Sequence, residues 1–162
     1  MSVLVPMSSA AYRRYQAFGP SNYADANITS GRWPKRLALR RAKAAYKQLL
    51  PKGLRTPDNF LFEVKETSES PTAGIIWYAI VKTNGFRSAY LCDIYIYPEF
   101  RRRGLGEGAV KALERRVRAQ GLSDIALHVF SYNKASQSLW KKLGYEMTSV
   151  NFTKRLGGAA AR

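Results

Sequence analysis

The chain has 162 residues, enough for one domain with a sizeable core, and its single cysteine, Cys92, excludes an intrachain disulfide. Its 27 lysines and arginines against 11 aspartates and glutamates give a net charge of +16, which favours an acidic ligand, a ribosome or a nucleic acid as partner. No apolar run reaches the ~18 residues of a membrane span, and the N-terminus lacks the charged leader of a signal peptide, so we expect a cytoplasmic protein without a membrane partner.

Apolar spacing and turn residues divide the chain into a series of helices and strands. The predicted helices are 7–30, 34–50, 104–120 and 134–143. The predicted strands are 60–66, 74–82, 87–97, 123–130 and a last one near 145–156. Because no repeat or linker interrupts this order, we predict one α+β domain over 1–162, with residues 157–162 as a frayed tail.

Net positive charge is densest in the first 55 residues, where Asp25 is the only acidic residue before Asp58. Such a run is typical of a solvated helix face that also attracts a polyanionic ligand. Docking on nucleic acid is the alternative, and it is less favoured because no nucleic-acid motif with interleaved exposed aromatic residues is present.

The most informative segment is a strand that ends at Pro98 and runs into a turn rich in arginine and glycine. Gly104 and Gly106 let the backbone approach a ligand closely, and the N-terminus of the following helix directs free N–H groups and its dipole at the same place. The three arginines at 101–103 also offer charged hydrogen-bond donors to phosphate oxygens. The turn therefore predicts a phosphate or pyrophosphate site, although it lacks the lysine-serine of a P-loop, and Ala109 breaks the G-x-G-x-x-G pattern.

The spacing Arg101-x-x-Gly104-x-Gly106 after a strand resembles the R/Q-x-x-G-x-G/A signature of the GNAT superfamily of N-acetyltransferases. A second block agrees with the first: the 123–130 strand is followed by Asn133 and by a helix that leads into a glycine-aromatic pair. Two blocks in the expected order are far more specific than either alone.

The resemblance covers residues 60–156 closely and the first 55 more loosely. It implies a GNAT-like three-layer α+β fold, with a mixed, mostly antiparallel sheet flanked by helices. Residues 1–55 would form a helical region on the substrate side, and 60–156 an acetyl-CoA-binding core. Homodimers are common among such proteins, but no residue pattern here indicates one.

The same resemblance implies an enzyme that moves the acetyl group of acetyl-CoA to a primary amine of a small molecule or protein. The transfer would be direct within a ternary complex, without a metal. The backbone of 94–96 would pair with the pantetheine arm, the N–H groups of 102–107 would hold the pyrophosphate, and Asn133 would bind pantetheine. The residues so assigned to the coenzyme are Ile94, Tyr95, Ile96, Arg101, Arg102, Arg103, Gly104, Leu105, Gly106, Glu107 and Asn133.

An alkyl amine arrives as ammonium, with a pKa near ~10.4, and must lose a proton before it attacks. His128, the only histidine, lies near the position where some family members carry an active carboxylate, and histidine accepts protons near neutral pH. Asp93 is the other candidate, because a carboxylate inside an aromatic strand needs a partner or a function. Each candidate also has a structural alternative. For His128 it is a hydrogen-bonded histidine in the core, and for Asp93 it is an ion pair with a basic residue such as Arg41.

Trp140 stands where many relatives have a tyrosine whose hydroxyl meets the coenzyme sulfur. An indole N–H donates a hydrogen bond but does not readily release its proton. Either Trp140 or solvent assists the departing thiolate by hydrogen bonding alone, or a hydroxyl serves instead, with Tyr132, Tyr95 and Tyr97 as candidates. The alternative function is a catalytically weak GNAT-like protein that binds acyl-CoA or docks on RNA or the ribosome.

Overall fold

The computed structural model describes residues 1–157, so residues 158–162 of the predicted tail lie outside the described part. The strands are β1 (Val3–Pro6), β2 (Asn59–Lys65), β3 (Gly74–Thr83), β4 (Phe86–Ile96) and β5 (Ile125–Ala126). The α-helices are α1 (Ser9–Thr29), α2 (Lys35–Leu49), α3 (Leu105–Ala119) and α4 (Lys134–Lys142). Within 1–157, no helix combines the length and the apolar character needed to cross a bilayer.

The five strands form one sheet in the order β1-β2-β3-β4-β5. The first three pairs are antiparallel, and β5 lies parallel to β4. This mixed, mostly antiparallel sheet confirms the predicted fold class.

Alternating side chains of the strands build a separate core on each face of the sheet. Phe62 and Val64 pack with apolar residues of α3 and with Trp140 of α4 on one face. Leu61, one position away, packs on the other face with Tyr15 of α1. The sheet is therefore the middle layer, and α1 and α2 cover the face opposite to α3 and α4.

Small residues allow α1 and α2 to pack closely. Ala24 of α1 contacts Ala38 and Ala42 of α2, and all three are buried. Ser8 begins α1 as its N-cap, with its hydroxyl accepting a hydrogen bond from the Ala11 N–H at 3.1 Å. The predicted first and second helices are confirmed to within two residues at each end.

The C-terminal strand predictions are wrong in part. Only Ile125–Ala126 of the predicted 123–130 strand pairs with β4, and residues 145–156 form no strand. Val150 and Phe152 have the alternation of a strand, yet they are 55% and 94% exposed. A strand needs a partner edge as well as a pattern, and a two-residue β5 offers very little edge. Conversely, β1 is absent from the predicted strands, because four residues are too few to show a clear pattern.

Gly74 lets β3 approach the end of β4 that leads to the arginine-rich turn. A methyl group at this position would overlap the backbone oxygen of Tyr95 and lie 3.0 Å from the Ile96 Cα. We expect Gly74→Ala to lower the free energy of unfolding by about 1–3 kcal/mol, measured by urea denaturation.

Gly106→Ala is the matched control. A methyl at Gly106 would lie 3.7 Å from Ile96 Cγ1, an ordinary contact, and alanine is the better helix former. Equal stability of the two variants would contradict the close approach of β3 and β4 at Gly74.

Candidate active site

A β-bulge in the middle of β4 directs two successive side chains to the same face of the sheet. Trp77 of β3 pairs with Asp93 and Tyr78 pairs with Leu91, so Cys92 is an extra residue in β4. Leu91 packs on the α3 side, whereas Cys92 packs with the cluster under α1. Asp93 also faces the α1 side, because both of its side-chain partners come from the helices of that layer.

Two tyrosines hold the Asp93 carboxylate. The hydroxyl of Tyr15, in α1, donates to Asp93 Oδ2 at 2.6 Å, and that of Tyr46, in α2, does so at 3.5 Å. The two hydroxyl oxygens are 3.2 Å apart. Asp93 thus connects the helical layer to β4 through phenols and not through an arginine.

Burial sets the protonation of this group. It raises the pKa of the Asp93 carboxyl above its ordinary value, and the hydrogen bonds from Tyr15, the Ile94 N–H and Tyr46 lower it in part. Burial, followed by the Asp93 charge, raises the pKa of Tyr15 and of Tyr46. Both phenols therefore stay protonated and donate, while Asp93 is a more basic carboxylate than an exposed one.

Cys92 lies beside this group as a half-buried thiol. Its Sγ is 3.6 Å from the carbonyl oxygen of Tyr90. Burial, followed by the Asp93 charge, raises the pKa of the Cys92 thiol to about 12. A protonated thiol is a poor nucleophile, so the site does not offer a cysteine for covalent catalysis.

The edge of β4 that faces β5 is open beyond Tyr90. β5 pairs only with Ala89 and Tyr90, and within residues 1–157 no strand continues the pairing towards Ile96. The chain after β5 still packs on the α3 side through Leu127 and Val129, but its backbone leaves β4. The edge of β4 therefore stays open from Leu91 onward, and its unpaired backbone groups can receive an extended amide-bearing ligand.

The turn after β4 has left-handed backbone at two positions and leads directly into α3. Arg102 and Gly104 have positive φ angles of 64° and 74°, and Gly104 is the N-cap of α3. No side chain within 1–157 caps this helix end, and a Cβ on Gly104 would meet nothing within 4 Å. The first-turn N–H groups of α3 therefore lack a side-chain acceptor among these residues and remain available to a ligand.

The neighbouring arginines are fixed by backbone and ring contacts. Arg101 Nε donates to the Ile96 carbonyl at 2.9 Å, and its guanidinium lies 5.2 Å from the Tyr95 ring centre. Arg103 donates to the Glu99 carbonyl at 3.1 Å. These contacts leave guanidinium N–H groups free beside the turn.

Glu107, in the first turn of α3, is an ionised carboxylate paired with two lysines. It accepts hydrogen bonds from Lys111 at 2.8 Å and Lys142 at 2.7 Å, and these contacts lower the pKa of the Glu107 carboxyl to about 2. Its negative charge is offset by two ammonium groups. The surroundings of the turn stay positive.

The second sequence block lies at the start of α4. The Asn133 side-chain oxygen caps α4 by accepting from the Ser136 N–H at 3.1 Å, which leaves its amide N–H groups to face outward. Trp140 is buried, and its indole N–H donates to Ser136 Oγ at 2.9 Å. Its ring packs edge-on against Tyr145 at 5.1 Å. These contacts are those of a core residue whose donor already has a partner.

His128 lies beyond the end of β5 and is exposed. Its neighbours Leu127 and Val129 pack on the α3 side, so alternation places His128 and Phe130 on the side of α1 and α2. The His128 ring meets Phe130 edge-on at 4.8 Å. The structure thus brings Asp93 and His128 to the same side of the sheet, one buried and one at the surface.

The sequence interpretation missed the tyrosine partners of Asp93. It offered Arg41 as a partner, but the Arg41 guanidinium lies over the Trp33 ring instead. Tyr15 lies within the predicted 7–30 helix, and no local pattern reveals that its hydroxyl meets a strand residue 78 positions later.

Comparison with known proteins identifies acetyltransferases by sequence and by structure. The profile of the acetyltransferase (GNAT) family matches residues 26–145. The chain is 29% identical over 154 residues to YycN of Bacillus subtilis, named an uncharacterized N-acetyltransferase, with 95% of this chain and 98% of YycN covered. The solved structure of YycN matches with a TM-score of 0.91 at 27% identity, covering 98% of this chain and all of that one. Thialysine N-epsilon-acetyltransferase of Sus scrofa is 36% identical over 69 residues, 43% of this chain and 41% of the relative.

The raised pKa of Asp93 predicts a pH dependence of stability. The folded state holds this proton at pH values where the unfolded chain, with a carboxyl pKa near ~3.9, has lost it. The contribution of Asp93 to the free energy of unfolding is therefore greatest below about pH 3.9 and is lost as the pH rises through the pKa of the folded state. We expect wild type to lose stability relative to Asp93→Asn as the pH rises above ~3.9 and through the raised pKa of the folded carboxyl, measured by urea denaturation at each pH. Parallel pH profiles would show that the carboxyl titrates as in the unfolded chain.

Proposed function

Because the chain belongs to the GNAT acetyltransferase family, we propose that it transfers the acetyl group of acetyl-CoA to a primary amine by direct attack within a ternary complex. One observation carries the proposal: β4 has the Asp93 carboxylate at its bulge, an open edge beyond it and the glycine-rich turn at its end. These are the three elements that acetyl transfer needs, arranged in order along a single strand.

The residues of the turn and the open edge fit coenzyme A. The N–H groups at the start of α3 and the flanking arginines would bind the pyrophosphate, since both offer donors to anionic oxygens. The backbone of 94–96 would hydrogen-bond the pantetheine amides along the open edge, and the free Asn133 amide would bind the same arm. Acetyl-CoA, when bound, supplies the thioester carbonyl that the amine attacks.

We assign the proton-accepting role to Asp93. A carboxylate whose pKa is raised by burial takes a proton from an ammonium more readily than an exposed one. The hydroxyls of Tyr15 and Tyr46 orient it and disperse its charge after the proton has moved on. His128, exposed on the same side, is the second candidate and would carry the proton to solvent.

In this proposal, Trp140 does not donate a proton to the departing coenzyme thiolate. Its N–H would have to leave Ser136 to reach a coenzyme sulfur. Tyr132 is 44% exposed, stacks on Phe130 and precedes Asn133, so its hydroxyl is the stronger candidate for a donor beside the pantetheine arm. A thiolate is also stable enough to leave with solvent assistance alone.

A second function is binding of acyl-CoA without turnover. The one observation that favours it is that the Trp140 indole N–H is already hydrogen-bonded to Ser136. The name of the Sus scrofa relative supports an amine acceptor, because it describes acetylation of a side-chain amine. Release of free coenzyme A in the presence of an amine panel separates the two functions.

The pyrophosphate site is tested by Gly106→Glu, which places a carboxylate beside the N–H groups at the start of α3. Its Cβ has room, so the fold is retained. We expect acetyl-CoA affinity to fall at least about tenfold by calorimetry, because a like charge faces the phosphates. Gly106→Ala is the neutral control and should bind with near wild-type affinity. Unchanged affinity of the Glu variant would place the coenzyme elsewhere.

The proton acceptor is tested by comparing Asp93→Asn with His128→Gln. We expect the Asn substitution to lower kcat about 100-fold, with little change in acetyl-CoA affinity, because general base catalysis contributes 10²–10⁴ to a rate. The Gln substitution should cost less than about tenfold if His128 only relays the proton. The reverse order of effects would assign the base to His128.

A further inference from the structure

The outward face of α2 carries a straight row of positive charge. This basic row consists of Arg36, Arg40, Lys43 and Lys47. Because an α-helix has 3.6 residues per turn, these four positions lie within about 60° of one another around the helix axis, along a line about 17 Å long. All four side chains are exposed, whereas Ala38 and Ala42, on the other side of α2, are buried against α1.

The fold does not use the basic row for its own stability. The two ion pairs found in residues 1–157 both use Glu107, on the opposite face of the sheet, and α2 has no acidic residue of its own. Like charges three or four residues apart on a helix repel each other and destabilise it. An anion bound along the row would relieve this repulsion.

The charge of α3 shows a different arrangement in a helix of the same 15 residues. Four basic residues of α3 are accompanied by two acidic ones, Glu107 and Glu114, and Lys111 is paired with Glu107 at 2.8 Å. In α2, six basic residues have no acidic neighbour in the helix. The unbalanced charge is therefore concentrated in the layer opposite to the one that contains α3.

The surroundings of the basic row favour a phosphate backbone over a protein or a membrane. A protein interface has an apolar or aromatic centre, and a helix that binds a membrane inserts a broad apolar face. The exposed large apolar residues of α2 are only Leu39, beside the row, and Leu49, at the helix end. Phosphates, in contrast, are contacted by long basic side chains one charge at a time.

The shape of the surface favours a duplex over a single strand. Single strands are held by stacking of their bases on exposed aromatic rings. Tyr46 is the one aromatic residue of α2, and its hydroxyl points to Asp93 and not to the row. Among duplexes, the major groove of B-form DNA is about 12 Å wide and admits a helix, whereas that of A-form RNA is too narrow for side chains to read.

We propose that the basic row of α2 is a docking surface for double-stranded DNA. Contacts to phosphates carry no base information, so the binding is independent of sequence. This surface is separate from the glycine-rich turn, and the inference does not depend on the proposed acetyl transfer.

The test is the salt dependence of binding to two fluorescein-labelled DNA duplexes of unrelated sequence, measured by fluorescence anisotropy between about 0.05 and 0.2 M salt. Each phosphate contact contributes about −0.9 to the slope of log K against log salt concentration. For the double variant Arg40→Gln/Lys43→Gln we expect a slope shallower by about 2 and an affinity at least about tenfold lower at ~0.1 M salt, with both duplexes.

The double variant Arg115→Gln/Arg118→Gln is the matched control. It removes two exposed arginines, and thus the same net charge, from α3 on the other face of the sheet. Its slope and affinity should stay near those of wild type. The α2 variant should unfold at or above the wild-type temperature, because glutamine is a good helix former and the repulsion is reduced.

Five results would overturn the proposal. The first is no binding of either duplex, and the second is an equal loss of affinity in both double variants, which would make the attraction a property of the whole charge. The third is loss of binding on addition of free coenzyme A, which would place the DNA on the glycine-rich turn. The fourth is tighter binding of duplex RNA, single-stranded DNA or polyglutamate, which would name a different partner. The fifth is a lower unfolding temperature of the α2 variant, which would make the row a structural feature.

Discussion

The hydrogen bond from the Tyr15 hydroxyl to Asp93 is the contact on which this architecture depends. Tyr15 is fully buried, so without Asp93 its hydroxyl would keep only the Tyr46 hydroxyl, 3.2 Å away, as a partner. Loss of a hydrogen bond to a charged group costs about 1.5–3 kcal/mol. The contact therefore fixes the position of α1 on the sheet and the orientation of the carboxylate together.

The bulge at Cys92 makes that contact geometrically accessible. With regular alternation through β4, Asp93 would share the face of Leu91 and point at the apolar core under α3. The extra residue moves the carboxylate to the helical layer that carries the tyrosines. Beyond the bulge β4 no longer pairs with β5, so the feature that orients Asp93 adjoins the open edge that would admit the coenzyme.

Local patterns predicted most of the scaffold but little of the chemistry around Asp93. The turn from Arg101 to Gly106 was readable because its glycines and the helix after it are adjacent in the chain, and Gly104 indeed has a left-handed backbone. The contacts of Tyr15 and Tyr46 with Asp93 join segments separated by 78 and 47 residues, and single-sequence periodicity does not report such distances. The predicted strand at 145–156 was wrong for a related reason, because pairing depends on an edge supplied by another part of the chain.

The protonated state of Cys92 has a practical consequence for following the reaction. With its pKa raised to about 12, this only thiol of the chain carries almost no thiolate near neutral pH. Disulfide reagents react with thiolates, and the coenzyme sulfur is an unhindered alkyl thiol. A colorimetric disulfide reporter added to the enzyme would therefore record the released coenzyme against a quiet protein background, without replacing the cysteine beside Asp93.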